Sequence, residues 1–326
     1  MQPQLSAVTV GVNGAASLGP VLHALAAQTI ADRIEVVAVV PADAPAPSDA
    51  GFAAMRIVRL PELITTGEAI AAGVHAATAP VVAYSEEHSW PREDWAERLL
   101  AVHDGRAGAV SWSLENANPD SIASWVHLLS DFGPAVHPSP SRSLSALPWH
   151  HTSYRRELLT AYGAGLGAML EAEWRVHADL AKAGHPLLHA GDARSRHWNV
   201  SSYVNHMRDE CRGARSFGAS RVDHGNWGAG RRLAYTAAAP LLFLLRFARV
   251  LPHLRRVAPP RTGLVVAQIA TALAAAAVAE AWGYAGGKGS SRRTRMTIEL
   301  DRRRSLTRAD RERWEGEVLS LRRAPA

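Results

Sequence analysis

Val81-Val82-Ala83-Tyr84-Ser85-Glu86-Glu87-His88-Ser89-Trp90-Pro91-Arg92-Glu93-Asp94-Trp95 is the stretch from which the rest of the chain is read. Val81–Tyr84 is a short apolar run of the kind that fills a strand buried on both faces of a sheet. It runs straight into two adjacent acids and a histidine, so Glu86, Glu87 and His88 stand where a parallel strand ends. Pro91 suits the first turn of a helix, and the periodicity carries that helix to about His103 with Trp95, Leu99 and Leu100 inward. Carboxylates at a strand's end suit a hard divalent ion such as Mg²⁺ or Mn²⁺. The spacing fits two solvated loop acids equally well.

Upstream, the same alternation repeats. Ala7–Val12 reads as a buried strand, Asn13 and Gly14 as a turn, and Ser17 as the N-cap of a helix through Gln28. Leu18, Val21, Leu22 and Leu25 share one face of that helix. Ile34–Val40 is a β-branched run, Pro41–Asp49 a loop, Met55–Leu60 a third strand and Gly67–Ala77 a helix. Downstream, Ala109–Leu114 reads as strand, Ile122–Leu129 as helix and Pro134–Ser145 as loop. Ser153–Ala161 and Leu170–Ala183 read as helices, the second ending at Gly184, and Pro186–His189 as a short strand. Short apolar strands alternating with amphipathic helices define an α/β chain with a mostly parallel sheet. In such sheets ligands sit at the carboxyl ends of the strands, which makes the residues after Val12, Val40 and Tyr84 site candidates.

Composition bounds the setting. With 326 residues, 47% of them hydrophobic, the chain can fill one large core and carry an appendage. Its single cysteine, Cys211, excludes an intrachain disulfide and a cysteine-built metal site, and fits a reducing compartment. Met1–Ala7 has no basic run followed by an apolar stretch, so no signal peptide is expected. The net charge of +6 sits in residues 288–326, which hold 12 Lys/Arg against 6 Asp/Glu. Gly225–Ala279 is free of acids and carries seven arginines around two apolar runs, Leu233–Leu245 and Gly263–Gly283. Arginines flanking apolar runs favour an anionic membrane surface over nucleic acid as partner. The second run is about the ~20 residues a bilayer crossing needs; the first suits an interfacial helix. Ser290–Ala326 reads as a charged surface tail with a helix around Thr307–Leu321.

Taken in order, the motifs resemble family 2 glycosyltransferases of the GT-A fold over the first 220 or so residues. The opening Val8-Thr9-Val10-Gly11-Val12-Asn13-Gly14, with Leu18, Leu22 and Leu25 and then Gln28-Thr29, is similar to the family's first strand, turn and helix. Glu35–Val40 matches its next strand, and Glu68-Ala69-Ile70-Ala71-Ala72-Gly73-Val74 echoes the helix before its metal strand. The family's D-x-D motif, followed by Pro and Trp, aligns with Ser85-Glu86-Glu87-His88 and then Pro91 and Trp95. Its acceptor segment, Gly-x-Asn-x-x-(Tyr/Phe)-Arg-Arg, resembles Pro148-Trp149-His150-His151-Thr152-Ser153-Tyr154-Arg155-Arg156. Counted back from Gly184, the family's general base falls on Glu173, with Glu171 as second candidate. Arg194-Ser195-Arg196-His197-Trp198 is similar to its later histidine, and Arg215 and Arg221 to a basic segment.

The resemblance implies a Rossmann-like, mixed and mostly parallel sheet flanked by helices, with C-terminal apolar helices. The domains expected are a transferase domain over 1–222, membrane-associated helices over 223–289 and a basic tail over 290–326. It implies an inverting transferase that moves a sugar from a nucleotide-sugar donor to a cell-surface or lipid-linked saccharide, at the cytoplasmic face of the plasma membrane, peripheral or integral. The residues implied are Glu173 and Glu171 for catalysis; Asn13, Asp43, Arg194, His197 and Arg215 for the donor; Glu86, Glu87 and His88 for Mg²⁺ or Mn²⁺; His151 and Tyr154 for the acceptor. The chain departs from the pattern at each site. Val40 and Pro41 replace the acids after the second strand, the metal motif has no Asp, and Ala172 stands where the base has an acidic neighbour. A catalytically degenerate binding or scaffold subunit of a membrane glycan-assembly complex is therefore the alternative expectation. Motifs for other nucleotide-using or hydrolytic enzymes are missing: there is no G-x-x-x-x-G-K-[ST], no G-x-G-x-x-G after a strand and no G-x-S-x-G.

Overall fold

The computed structural model describes residues 2–47, 51–63, 65–287, 289 and 300–323. The chain divides into two compact units: Met1–Glu115 with Pro134–His197 and Glu312–Ala326, and Asn116–Gly133 with Trp198–Arg311.

The first unit is built on a mixed sheet. Among the described residues it has nine strands: β1 Leu5–Val10, β2 Ile34–Pro41, β3 Ala54–Leu60, β4 Val81–Tyr84, β5 Ser89–Pro91, β6 Ala109–Asn116, β7 Arg142–Ser143, β8 Thr152–Arg155 and β9 Leu187–His197. Their order is β3-β2-β1-β4-β8-β6-β9-β5, with β7 on β9. β1 and β2 are buried throughout except at Pro41, as expected for apolar runs covered on both faces. β1 pairs in parallel with both β2 and β4, and β2 with β3. β8 is antiparallel to β4 and to β6, so β6 runs the same way as β1–β4. The chain winds outward from β1 to β3 and then returns to place β4 on the other side of β1. That reversal opens a crevice at the carboxyl ends of β1 and β4, where ligands settle in open α/β sheets.

Helices α1 Ala15–Ala26, α2 Thr66–Ala76, α3 Trp95–Val102, α5 Arg156–Thr160, α6 Leu166–Leu170 and α7 Trp174–Lys182 complete the unit, α4 belonging to the second. The helix expected at Pro91 starts four residues later. Ser89–Pro91 is instead a strand that pairs with Ser195–His197, and Asp94 is the N-cap of α3. Proline tolerates this place because an edge strand does not need every N–H. Ser153–Arg155, expected as helix, is strand: Tyr154 and Ser153 pair across to Val82 and Ala83, so tertiary pairing overrides the local pattern. The helix expected over Leu170–Ala183 is broken into α6 and α7, with Glu173 at the N-cap of α7. The short strand expected at Pro186–His189 runs on to His197. Ser17 does not cap α1. Gly14, at φ 55°, occupies that place, and its hydroxyl-bearing neighbour Ser17 donates back to the Gly14 carbonyl at 3.1 Å. A Cβ on Gly14 would fall 2.2 Å from the Pro45 carbonyl, so the loops after β1 and β2 approach as only glycine permits.

The second unit is helical: α4 Ile122–Phe132, α8 Tyr203–Gly225, α9 Ala229–Ala237, α10 Ala239–Val257 and α11 Thr262–Gly286. α8 and α11 cross closely through Gly218 and Gly283, where a Cβ would lie 2.5 Å from the Glu280 carbonyl and 2.2 Å from the Arg215 carbonyl. Glu280, buried in α11, pairs with Arg246 and lies 3.6 Å from Arg221, and Tyr284 donates to it. Among the described residues α11 is long and apolar enough to cross a membrane, and α9 with α10, bent by 56°, passes the same test as a pair. Helix α12, Arg308–Arg323, realises the expected C-terminal helix; the tail expectation for residues 290–299 lies outside the described residues.

Candidate active site

The site grows out of β4. Strand pairing brings three distant segments to its carboxyl end. Because β8 runs antiparallel to β4, with Ala83 opposite Ser153, the residues entering β8, His150 and His151, meet the residues leaving β4. Because β5 pairs with β9, with Ser89 opposite His197, the last residue of β9 lies beside His88. The outcome is one buried carboxylate, Glu86, among four imidazoles. Its Oε2 is 3.1 Å from His151 Nε2, 3.2 Å from His88 Nε2 and 3.3 Å from His197 Nε2, and its Oε1 is 3.2 Å from His150 Nδ1. All five side chains are at most 5% exposed.

Electrostatics follow from that burial. Burial alone would raise the Glu86 carboxyl, yet the potential of His88 and His151 and hydrogen bonds from His150 and His151 hold it well below the ordinary carboxylate range. Burial lowers His151 and takes His197 down to about 3, against the pull of Glu86 upward. Uncharged imidazoles keep a ring lone pair, the form in which histidine binds metal. Glu86, His151 and His197 can hold a metal ion, their donor atoms all lying within 4.8 Å of one another. Glu87 points elsewhere: its carboxylate hydrogen-bonds His88 Nδ1, while its carbonyl accepts from Trp90 Nε1 at 3.1 Å.

Glu173 forms the second half of the site. It is buried, and it accepts from the His150 backbone N–H at 2.8 Å and from the Tyr154 hydroxyl. Tyr154 Oη is also 2.8 Å from His177 Nε2, one helical turn on from Glu173. Burial, together with the Glu173 charge, keeps the Tyr154 hydroxyl well above its usual range, so it stays a proton donor; burial lowers His177. A small cavity reaches Glu173, Tyr154, His150 and Tyr84 between the apolar side chains of Val8, Ile70, Val74 and Leu170.

The sequence-predicted residues fall into two sets. Glu86, His88, His151 and His197 converge, with Glu87 behind His88, and Glu173 and Tyr154 join them through His150. Asn13 and Asp43 are exposed in the loops after β1 and β2, at the same sheet edge. Arg194 donates to Glu115 at 3.2 Å. Arg215 lies in the second unit and donates to the Gly287 carbonyl at 2.9 Å. Glu171 accepts from Gly67 N–H at 3.2 Å at the start of α2, outside the hydrogen bonds that tie the cluster together.

Sequence reasoning did not single out His150 or His177. His150 carries the link between the two halves: its ring meets Glu86 while its backbone N–H meets Glu173, and it does so at φ 61°, a conformation rare for a residue with a side chain. No local signal marks that backbone state. His177 was legible, since Glu173 and His177 are spaced to share one face of a helix.

No family model and no curated protein matches the sequence. Solved structures do. A mannosyltransferase from Pyrobaculum calidifontis, in complex with GDP-Man and Mn²⁺, is 16% identical and superposes with a TM-score of 0.51 over 86% of this chain and 88% of its own. TarS 1-349 of S. aureus, in complex with UDP-GlcNAc, is 11% identical with a TM-score of 0.41 over 61% of this chain and 59% of its own. S. aureus TarS is 12% identical with a TM-score of 0.44 over 89% of this chain but only 55% of its own. The first of these likenesses shows the fold: the chain shares the mixed α/β fold of that mannosyltransferase.

Proposed function

We propose that the chain is an inverting glycosyltransferase that moves a sugar from a nucleotide-sugar donor to a saccharide or lipid-linked acceptor. The observation that carries this reading is the junction at His150, which ties an ion-competent carboxylate at the end of β4 to a buried second carboxylate, Glu173. Transfer with inversion needs those two functions side by side. The acceptor hydroxyl loses its proton to Glu173 as its oxygen bonds to the anomeric carbon, and the bond from that carbon to the donor's phosphate oxygen breaks on the opposite face. Tyr154 and the His150 N–H fix the Glu173 carboxylate. Asn13 and Asp43, in the loops after β1 and β2, are the donor-side residues, with Arg194 as a further candidate. Between the two ions the resemblance implies, the two imidazole donors favour Mn²⁺ over Mg²⁺, which takes oxygen ligands at octahedral corners. Glu86, His151 and His197 would hold it, and a bound divalent ion there would offset the charge of the leaving diphosphate.

Calorimetric titration with UDP-, GDP- and dTDP-sugars, with and without Mn²⁺, tests the reading. Metal-dependent binding to one donor class, weakened in Glu87→Ala as His88 loses its carboxylate partner, is the expected result. No binding to any donor by folded protein would favour the alternative, a degenerate scaffold subunit, which the replacement of the expected acids by Val40 and Pro41 would then explain.

The acceptor class and the location belong to the same proposal. The α9–α10 pair, bent by 56°, exposes Leu233, Leu241, Leu244 and Leu245 in a segment with arginines and no acids. Apolar side chains rimmed by arginine suit an anionic leaflet, which supports a location at the cytoplasmic face of the plasma membrane, near lipid-linked acceptors. In flotation assays the protein is expected to rise with vesicles containing anionic phospholipid and to stay behind with purely zwitterionic ones. Failure to float with either would remove the membrane from the reading.

A further inference from the structure

Five glutamates are buried among the described residues, Glu35, Glu86, Glu87, Glu173 and Glu280, and Glu35 and Glu280 show how a structural buried charge is paired here. Glu35, fully buried at the start of β2, is met by Arg56 at 2.6 Å, by Ser6, and by the Thr78 N–H and hydroxyl at 2.7 and 2.8 Å. Glu280 is met by Arg246, with Arg221 at 3.6 Å. Both are structural carboxylates paired with guanidinium groups, as a buried charge requires. Glu86 is met differently from these two. Among the described residues its ion-pair partners are His88, His150, His151 and His197, and none is a lysine or arginine.

We propose that Glu86, His151 and His197 form a two-imidazole, one-carboxylate site for a nitrogen-preferring divalent transition ion of the Zn²⁺ class, and that the site discriminates against Mg²⁺. It rests on the preceding reading only in placing an ion at this site, and it holds whatever group the enzyme transfers. Three observations carry it. The first is spacing. Glu86 Oε2 is 3.1 Å from His151 Nε2 and 3.3 Å from His197 Nε2. Ligand atoms on a tetrahedral ion with bonds of about 2.0–2.1 Å stand about 3.3–3.4 Å apart, so little movement is needed to seat one. The second is donor chemistry. Two nitrogens and one oxygen match the sets that hold Zn²⁺ with one position left open for a further ligand, and they fit poorly to an ion that takes oxygens at octahedral corners.

The third is the surrounding scaffold. His88 bridges Glu87 and Glu86, and His150 Nδ1 holds the other Glu86 oxygen at 3.2 Å, so the carboxylate is oriented from outside the ligand set. Such outer contacts are how proteins aim metal ligands. The acids of the strand-end motif are thereby divided: Glu86 faces the ion and Glu87 orients a histidine. His151 arrives from the segment before β8, and His197 from the end of β9.

The test uses the full chain, stripped with a chelator and equilibrated separately with Zn²⁺, Co²⁺, Mn²⁺ and Mg²⁺. Elemental analysis after desalting is expected to find one Zn²⁺ or Co²⁺ per chain, which excess Mg²⁺ does not displace. The Co²⁺ form is expected to show the intense visible bands of a low-coordinate site. Those bands should vanish in His151→Ala and in His197→Ala, and persist in Asp192→Ala, an exposed residue of β9. Folded wild-type protein that retains neither ion, that yields its Zn²⁺ to Mg²⁺, or that keeps the Co²⁺ bands in both histidine variants would overturn the proposal. The wild-type competition with Mg²⁺ decides the matter even where a variant does not fold. Zn²⁺ binding without any donor binding would sink sugar transfer and leave this site standing; donor binding supported by Mg²⁺ in a chain that ignores Zn²⁺ would do the reverse.

Discussion

Glu173→Gln is expected to slow sugar transfer by about 10²–10⁴-fold, the range that general-base catalysis contributes, with donor affinity unchanged. The substitution is chosen because the surroundings can absorb it. The new carbonyl oxygen keeps the His150 N–H as donor, and the new amide faces Tyr154 Oη. Tyr154 can then accept from the amide and turn its own proton to His177 Nε2, 2.8 Å away. Every hydrogen bond survives with its direction reversed along the Tyr154–His177 link, so the fold keeps its stability and only the proton-accepting capacity is lost. Initial rates with the donor class found by calorimetry, set beside the variant's donor affinity, check this. A variant that turns over at the wild-type rate removes Glu173 from the base role, and a variant that loses donor binding assigns it to the donor instead.

Glu86→Gln is expected to cost stability and ion-dependent function together. In the ion-free protein the surrounding imidazoles outweigh burial and favour the Glu86 carboxylate in its charged form, an attraction that an amide of the same shape gives up. The ion-free variant is therefore expected to unfold at a somewhat lower temperature than wild type. Added ion stabilises the wild type by mass action and should leave the variant unmoved. Loss of one oxygen ligand is expected to weaken ion-dependent donor binding by at least about 100-fold, the upper end of what disturbing a ligand's support costs. Thermal unfolding with and without ion, together with the donor titration, reads both effects. A variant that is destabilised without ion and still stabilised by it would show Glu86 to be a structural acid like Glu35.

Much of the scaffold is written in local pattern. β4 and the run Ile34–Val40 read directly as buried strands, because continuous apolar residues at these lengths have few other stable fates, and the helices over Thr66–Ala76 and Arg308–Arg323 follow from their periodicity. Glu86 and His88 stand out in the sequence as an acid and a histidine at a strand's end, whereas Glu173 follows only from the resemblance, counted back from Gly184.

What the sequence by itself could not determine was decided by strand pairing. Ser153–Arg155 carries a helical pattern but becomes β8, because antiparallel pairing with β4 and β6 satisfies its backbone in the centre of the sheet. That pairing brings His150 and His151 to Glu86, just as the β5–β9 register brings His197, from 111 residues away in the chain. The left-handed turn at His150 joins that cluster to Glu173. Local propensity acts over a few residues, whereas this site is made of segments as far as 111 residues apart, and only the register of the sheet aligns them.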